Sequence, residues 1–293
     1  TDKWSENLIP RPPIVTIMGH VDHGKTKLLD YLRKSNIVAW EAWWITQSIW
    51  ASQVIHNDQK ITFIDTPWHE LFTSLRARWS KITDIVIIVV ALDDWVKQQT
   101  IEAINHAKDS GVPIIVALTK LDLGIWRLEE IKGQLNAQWL QPEDRWGDIM
   151  VIPCSAMTGQ WIDDLLDSVL LQYEMLERKY NPSRWAVGVV VEAQKDSKQW
   201  VTTSLLIMTW TLRVWDIVVI HNTFWKVRKM TDWAWKEVKV ATWWDPVMIL
   251  GMSDTPEPWR IAEVVNNEKE ANKKLAMISE HEQLFAKDTV IHS

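Results

Sequence analysis

From Ile14 to Arg178, short apolar runs alternate with stretches whose apolar residues recur at helical spacing. Ile14-Val15-Thr16-Ile17-Met18 ends at Gly19 and predicts a buried strand. Leu28, Leu29 and Leu32 share one face of a helix predicted over Lys25–Arg33. Further strands are predicted at Ile61–Ile64, Ile85–Ala91, Pro113–Thr119 and Met150–Cys154. Helices are predicted at Gln98–Ser110, Leu128–Leu135 and Ile162–Arg178. Strand and helix in alternation imply a mostly parallel sheet with helices on both faces.

The pattern changes at Tyr180-Asn181-Pro182-Ser183. Beyond it come short β-rich runs at Val187–Glu192, Val201–Thr209, Ile217–Ile220, Trp225–Met230, Val247–Leu250 and Ile261–Val265. Closely spaced strands without helices predict a small β-barrel. Asn266–Ala286, rich in Glu, Lys and Ala, predicts a closing helix. The expected organisation is a lead segment over 1–12, an α/β domain over 13–180, a β-barrel domain over 181–266 and a closing helix or linker over 267–293.

Composition narrows this picture. A chain of 293 residues, 47% hydrophobic and 24% charged, has the balance of a soluble globular protein. The single cysteine, Cys154, excludes an intrachain disulfide and fits a reducing compartment. There is no apolar run of about eighteen residues and no signal or transit pattern. The expectation is a cytoplasmic bacterial protein, or a mature form in a mitochondrial or chloroplast matrix, with no membrane partner. A net charge of -6 lacks the overall basic field of a protein that holds nucleic acid through phosphates. DNA is therefore not an expected partner, while local contacts to RNA stay open.

Tryptophan is the anomaly. There are 22 tryptophans and only 9 glycines, where a usual share of about 7% would give roughly 20 glycines. Trp95, Trp210, Trp243 and Trp244 interrupt apolar segments where a turn, and glycine's freedom at positive φ, is expected.

The chemistry begins at Gly19-His20-Val21-Asp22-His23-Gly24-Lys25-Thr26, a complete phosphate-binding loop between a strand and a helix. Its glycines let the backbone approach phosphates, its amides point at them, and Lys25 adds charge. The Thr26 hydroxyl suits a magnesium ion. Asp65-Thr66-Pro67 follows a strand end, where a carboxylate can hold that ion through water, although a turn cap is the plain alternative. Thr119-Lys120-Leu121-Asp122 ends another strand, and Asp122 there can accept hydrogen bonds from the N1 and 2-amino groups of guanine. The bland reading is a polar strand end. Ser155-Ala156-Met157 can close over the base with backbone amides, and His69 can position water for attack on a γ-phosphate. The histidines show no zinc spacing.

With these motifs in order, the chain resembles the translation initiation factor 2 family of bacteria and organelles. The resemblance runs through Arg11-Pro12-Pro13 into the phosphate loop, through Ile45-Thr46-Gln47 as a first switch, and through Asp65-Thr66-Pro67 and Phe72-Thr73-Ser74-Leu75-Arg76-Ala77-Arg78 as the second. It continues in Thr211-Leu212-Arg213-Val214 and Val227-Arg228-Lys229-Met230 of the barrel. Elongation factor Tu typically reads Asp-Cys-Pro-Gly-His at the second switch and lacks the Arg-Ala-Arg segment.

The resemblance implies a P-loop GTPase domain followed by a barrel, binding GTP or GDP with magnesium and hydrolysing GTP on the ribosome, in contact with both subunits. Gly19 to Thr26, Asp65, Trp68, Thr119, Lys120, Asp122, Ser155, Ala156 and Met157 would bind nucleotide. Thr26, Thr46 and Asp65 would hold magnesium, and His69 would be catalytic, flanked by Val21 and Ile45. Initiator tRNA would be reached only through domains beyond Ser293.

The family pattern has glycine where Trp68 stands between Pro67 and His69, and a glycine pair where Trp43-Trp44 precede Ile45. It also has glycine at Trp79, Trp95, Trp161, Trp200, Trp215 and Trp259, more often asparagine at Thr119, and usually lysine at Met157. A GTP-dependent binding module with impaired hydrolysis is therefore one alternative, and an elongation-type tRNA carrier another.

Overall fold

The computed structural model describes residues 9–34, 51–65, 83–177, 179–180, 187–195, 201–209, 211–232, 235–242, 245–252, 254–258 and 260–278. The chain divides into two compact units, one over Pro10–Arg178 and the other over Lys179–Ser293 together with the residues up to Ile9.

The first unit is built on six strands. They are β1 Ile14–Gly19, β2 Ala51–His56, β3 Gln59–Asp65, β4 Ile85–Ala91, β5 Ile114–Thr119 and β6 Met150–Pro153, in the spatial order β2-β3-β1-β4-β5-β6. All neighbours are parallel except β2 and β3. The edge strand β2 was not expected. Its turn, Asn57-Asp58, lacks glycine, yet both residues adopt positive φ, at 49° and 61°, as a two-residue hairpin turn requires.

Helices α1 Lys25–Lys34, α2 Gln98–Asp109, α3 Leu128–Ala137 and α4 Ile162–Met175 cover the sheet. Val15 and Ile17 of β1 share a core with Leu28, Leu29 and Leu32 of α1 and with Leu165, Val169 and Tyr173 of α4. The alternate positions Ile14, Thr16 and Met18 are also buried, as a strand covered on both faces demands. Helix α4 stops at Met175, short of the expected Arg178. Registry aligns Gly19 with Val89, Val89 with Ala117 and Ala91 with Thr119. The loops after β1, β4, β5 and β6 therefore gather at one edge of the sheet, where open parallel sheets bind ligands.

At the other end, Arg11 forms a two-pronged ion pair with Asp84, its Nη1 lying 2.6 Å from Oδ2. Asp84 Oδ2 also accepts from the Ile14 amide at 2.9 Å. The Arg11 guanidinium lies 5.9 Å from the ring centre of Tyr173.

The second unit contains β7 Val187–Lys195, β8 Val201–Thr209, β9 Ile217–Ile220, β10 Thr223–Lys226, β11 Lys229–Asp232, β12 Glu237–Val238, β13 Pro246–Met252 and β14 Ile261–Val265. They form one antiparallel sheet in the order β10-β9-β14-β7-β8-β13-β11-β12, a curled half-barrel. Irregular registry in β8, after Ser204 and after Ile207, bends a strand as bulges do. The expected single strand over Trp225–Met230 is two strands. At the break the Val227 amide donates to Asp216 and its carbonyl accepts from Trp215, so the chain turns from pairing with β9 to pairing with β13.

A helix over 268–278 follows. Asn267 Oδ1 accepts the Glu270 amide at 2.9 Å, a side-chain cap on the helix start. The rest of the predicted closing helix, 279–286, lies outside the described residues. Among the described residues no helix is long and apolar enough to cross a membrane.

Tryptophan stands where glycine conformations occur. Trp139, Trp146, Trp161, Trp215 and Trp235 all have φ between 60° and 82°. An L-residue held left-handed costs roughly 1–2 kcal/mol. Trp95, expected to mark such a turn, is not among these positive-φ residues.

Candidate functional site

The phosphate loop leaves β1 at Gly19 and re-enters structure at α1. Gly19, at φ 143°, packs so closely on β4 that a Cβ would collide with the Val89 carbonyl oxygen. Gly24 has φ 85° and would place a Cβ 3.6 Å from Thr119 Oγ1. The loop thus has glycine at one point where a Cβ would collide and at another where the backbone turns left-handed. Helix α1 begins at Lys25 with no acidic residue in its first turn, so its positive end is uncompensated and suits an anion. Lys25 is buried, Thr26 and Asp22 are exposed, and Val21 projects outward at 69% exposure.

The two histidines of the loop differ. His20 Nδ1 meets Gln99 Oε1 at 2.5 Å. His23 is fully buried, so its ring faces the protein. Its Nδ1–H donates to the Val89 carbonyl at 3.3 Å, and its own carbonyl accepts from Thr119 Oγ1 at 2.5 Å. Burial lowers the pKa of His23 below the usual histidine range, with help from the neighbouring His20 and Lys120 charges and against the Val89 bond and Asp94.

After β5, Lys120 turns left-handed at φ 61° and pairs with Asp93 at 2.9 Å. Ser155, fully buried, donates to Asp122 Oδ1 at 2.5 Å. Ser155 Oγ also accepts the amides of Met157 at 3.2 Å and Thr158 at 3.3 Å. The loops after β5 and β6 are tied further by the Leu121 amide donating to the Cys154 carbonyl. Cys154 follows β6 in a buried position, where burial pushes its thiol up to about 12. It is an inert packing residue.

The structure therefore brings Gly19 to Thr26 together with Thr119, Lys120, Asp122, Ser155, Ala156 and Met157 at one sheet edge. Two expected roles change in detail. The Thr119 hydroxyl is engaged by the phosphate loop, and the Met157 amide by Ser155. Thr46, Trp68 and His69, with Trp43, Trp44 and Ile45, lie outside the described residues, and of Asp65 only the strand backbone is described. Sequence reading missed Asp93 and Asp94, although two carboxylates after the strong strand Ile85–Ala91 occupy the ligand-binding end by the same rule as the phosphate loop. Asp94 is paired with Lys97 at 2.8 Å.

Residues 41–175 match the family model described as the Elongation factor Tu GTP binding domain. Among curated proteins, the chain is 46% identical over 97% of its length to "Translation initiation factor IF-2" of Finegoldia magna, covering 38% of that protein. It is 49% identical over 91% of its length to the protein of the same name from Carboxydothermus hydrogenoformans, covering 32% of it. For Bacillus cereus the identity is 50% over 86% of this chain and 37% of the relative. The chain thus spans about a third of the length of the curated relatives it matches. Among solved structures, GDP-bound aIF5B from Aeropyrum pernix superposes with a TM-score of 0.74 at 27% identity, over 93% of this chain and 57% of that one. Translation elongation factor SelB from Methanococcus maripaludis, in complex with the GTP analogue GppNHp, gives 0.63 at 25% identity, over 86% of this chain and 55% of that one.

Proposed function

Because the chain belongs to the translation initiation factor IF-2 family, we propose that it is the GTPase part of such a factor, binding GTP and GDP and hydrolysing GTP on the ribosome. The observation that carries this reading is the joined cradle: the phosphate loop, Asp122 and Ser155 meet at one sheet edge, tied by the Thr119 to His23 hydrogen bond.

In this reading the loop amides and Lys25 bind the β and γ phosphates, and Asp122, oriented by Ser155, accepts from the guanine edge. The exposed Thr26 hydroxyl at the start of α1, with Thr46 and Asp65, would hold magnesium, which neutralises phosphate charge when bound. His69 would orient the attacking water, so that catalysis is mostly positioning and electrostatics. A ribosome-associated role in a bacterial cytoplasm fits the named relatives.

The test is phosphate release from GTP by this chain with and without ribosomal subunits. Stimulation by ribosomes is expected, and a rate that ribosomes leave unchanged would sink the enzyme reading. A second reading, a GTP-gated binding module with little turnover, rests on Trp68 beside His69. It expects GTP to be held for many minutes without conversion, and rapid GDP formation would remove it. The elongation-type alternative is disfavoured, since the initiation-factor relatives are 46–50% identical and SelB is 25% identical.

A further inference from the structure

We propose that the His23 ring is a positioning clasp that fixes the phosphate loop against β4 and, through its own carbonyl, sets the distance between the phosphate site and the base-reading loop. The inference rests on the guanine-nucleotide reading above. Three observations carry it.

The ring is wholly buried although it belongs to the loop that faces the phosphates. Both of its edges turn to one element and its exit. Nδ1–H donates to the Val89 carbonyl at 3.3 Å, and Nε2 lies 3.7 Å from Asp94 Oδ2. Among the described residues Nε2 has no hydrogen-bond partner. A buried polar atom left so is costly, and a loop that needed only bulk at this position would be served by an apolar side chain.

The second observation is the backbone of the same residue. Its carbonyl accepts from Thr119 Oγ1 at 2.5 Å, and Thr119 begins the Thr119-Lys120-Leu121-Asp122 segment. The ring therefore holds a peptide group to which the base-reading loop is itself attached. The third is Gly19, which packs on the same Val89 carbonyl, so the entry to the loop and its centre are both referenced to one peptide of β4. Movement of the ring would shift the His23 carbonyl, release Thr119 and change the spacing between Lys25 and Asp122. The His23 ring touches neither phosphate nor base in this account; it acts through the loop.

The test is fluorescence-detected affinity for GDP, ADP and inosine diphosphate, each with magnesium, on the whole chain. Inosine diphosphate lacks the 2-amino group that Asp122 would read. His23→Leu removes the Nδ1 donor and is expected to weaken GDP about tenfold and to narrow the preference for GDP over inosine diphosphate. His23→Asn, whose amide nitrogen can occupy the Nδ1 position, is expected to recover most of both losses. A folded His23→Leu chain that binds GDP like the parent overturns the proposal. So does an equal loss for GDP and inosine diphosphate, which marks local loop damage without coupling to the base. If His23→Leu does not fold, His23→Gln replaces it: its donor lies beyond the Nδ1 position, and a Gln chain that binds as well as the Asn chain overturns the clasp. If the parent chain binds GDP no better than ADP, the guanine reading fails instead.

Discussion

At the scale of single residues, the site depends on a few hydrogen bonds whose partners are distant in sequence. Ser155 holds Asp122 across thirty-three positions. Removing that donor by Ser155→Ala should cost about 1 kcal/mol of guanine binding, a loss of roughly fivefold in affinity for GDP with little change for ADP; competition titrations of the two nucleotides measure it. His23 makes a statement about pH. Its folded pKa lies below the usual histidine value because burial disfavours the charged ring, with His20 and Lys120 adding to this and Asp94 opposing it. The unfolded chain then binds the proton more readily, so the contribution to stability is present above the ordinary histidine value of 6.5 and is lost as pH falls below it. Urea midpoints should fall from neutral to mildly acidic pH in the parent chain, and less steeply in His23→Asn. Identical slopes would show that His23 does not titrate as described.

At the scale of elements, turns and element ends bear the strain. Trp146, at φ 63°, caps a short 3-10 turn with its indole 98% exposed. Trp146→Gly removes a left-handed penalty of roughly 1–2 kcal/mol and returns about 0.5–1 kcal/mol of backbone entropy to the unfolded chain. A net gain of about 0.5–1 kcal/mol is expected in chemical denaturation, and a loss would show that the indole packs usefully. The opposite case is Arg11, which neutralises a buried carboxylate at the start of β4. Arg11→Ala removes the two-pronged ion pair with Asp84 and should destabilise the first unit by about 3 kcal/mol, read as a lowered urea midpoint with nucleotide specificity kept in the folded fraction.

At the scale of the whole molecule, the site exists because parallel registry brings the ends of β1, β4, β5 and β6 to one edge. Thr1 to Ser293 carry a net charge of -6, so contact with RNA would depend on local basic positions such as Arg213, Lys226 and Arg228, all exposed on the second unit.

The order of most strands and helices, and the placing of Gly19 to Thr26 and of Thr119 to Asp122 at strand ends, were legible in the sequence, because each is encoded by local spacing and by residues whose backbone or side-chain chemistry acts on near neighbours. Strand β2 and the break at Val227 were not, since pairing with a distant strand decides both, and polar residues such as Ser52 and Gln53 become strand by joining β3. The same division holds in the site. Sequence alone placed Gly19 to Thr26 between a strand end and a helix start. Only the tertiary structure decided that His23 faces inward to Val89, that Thr119 serves the phosphate loop, and that Ser155 orients Asp122. Burial and hydrogen-bond satisfaction select those partners among all the groups the fold brings near, and that selection has no period along the chain.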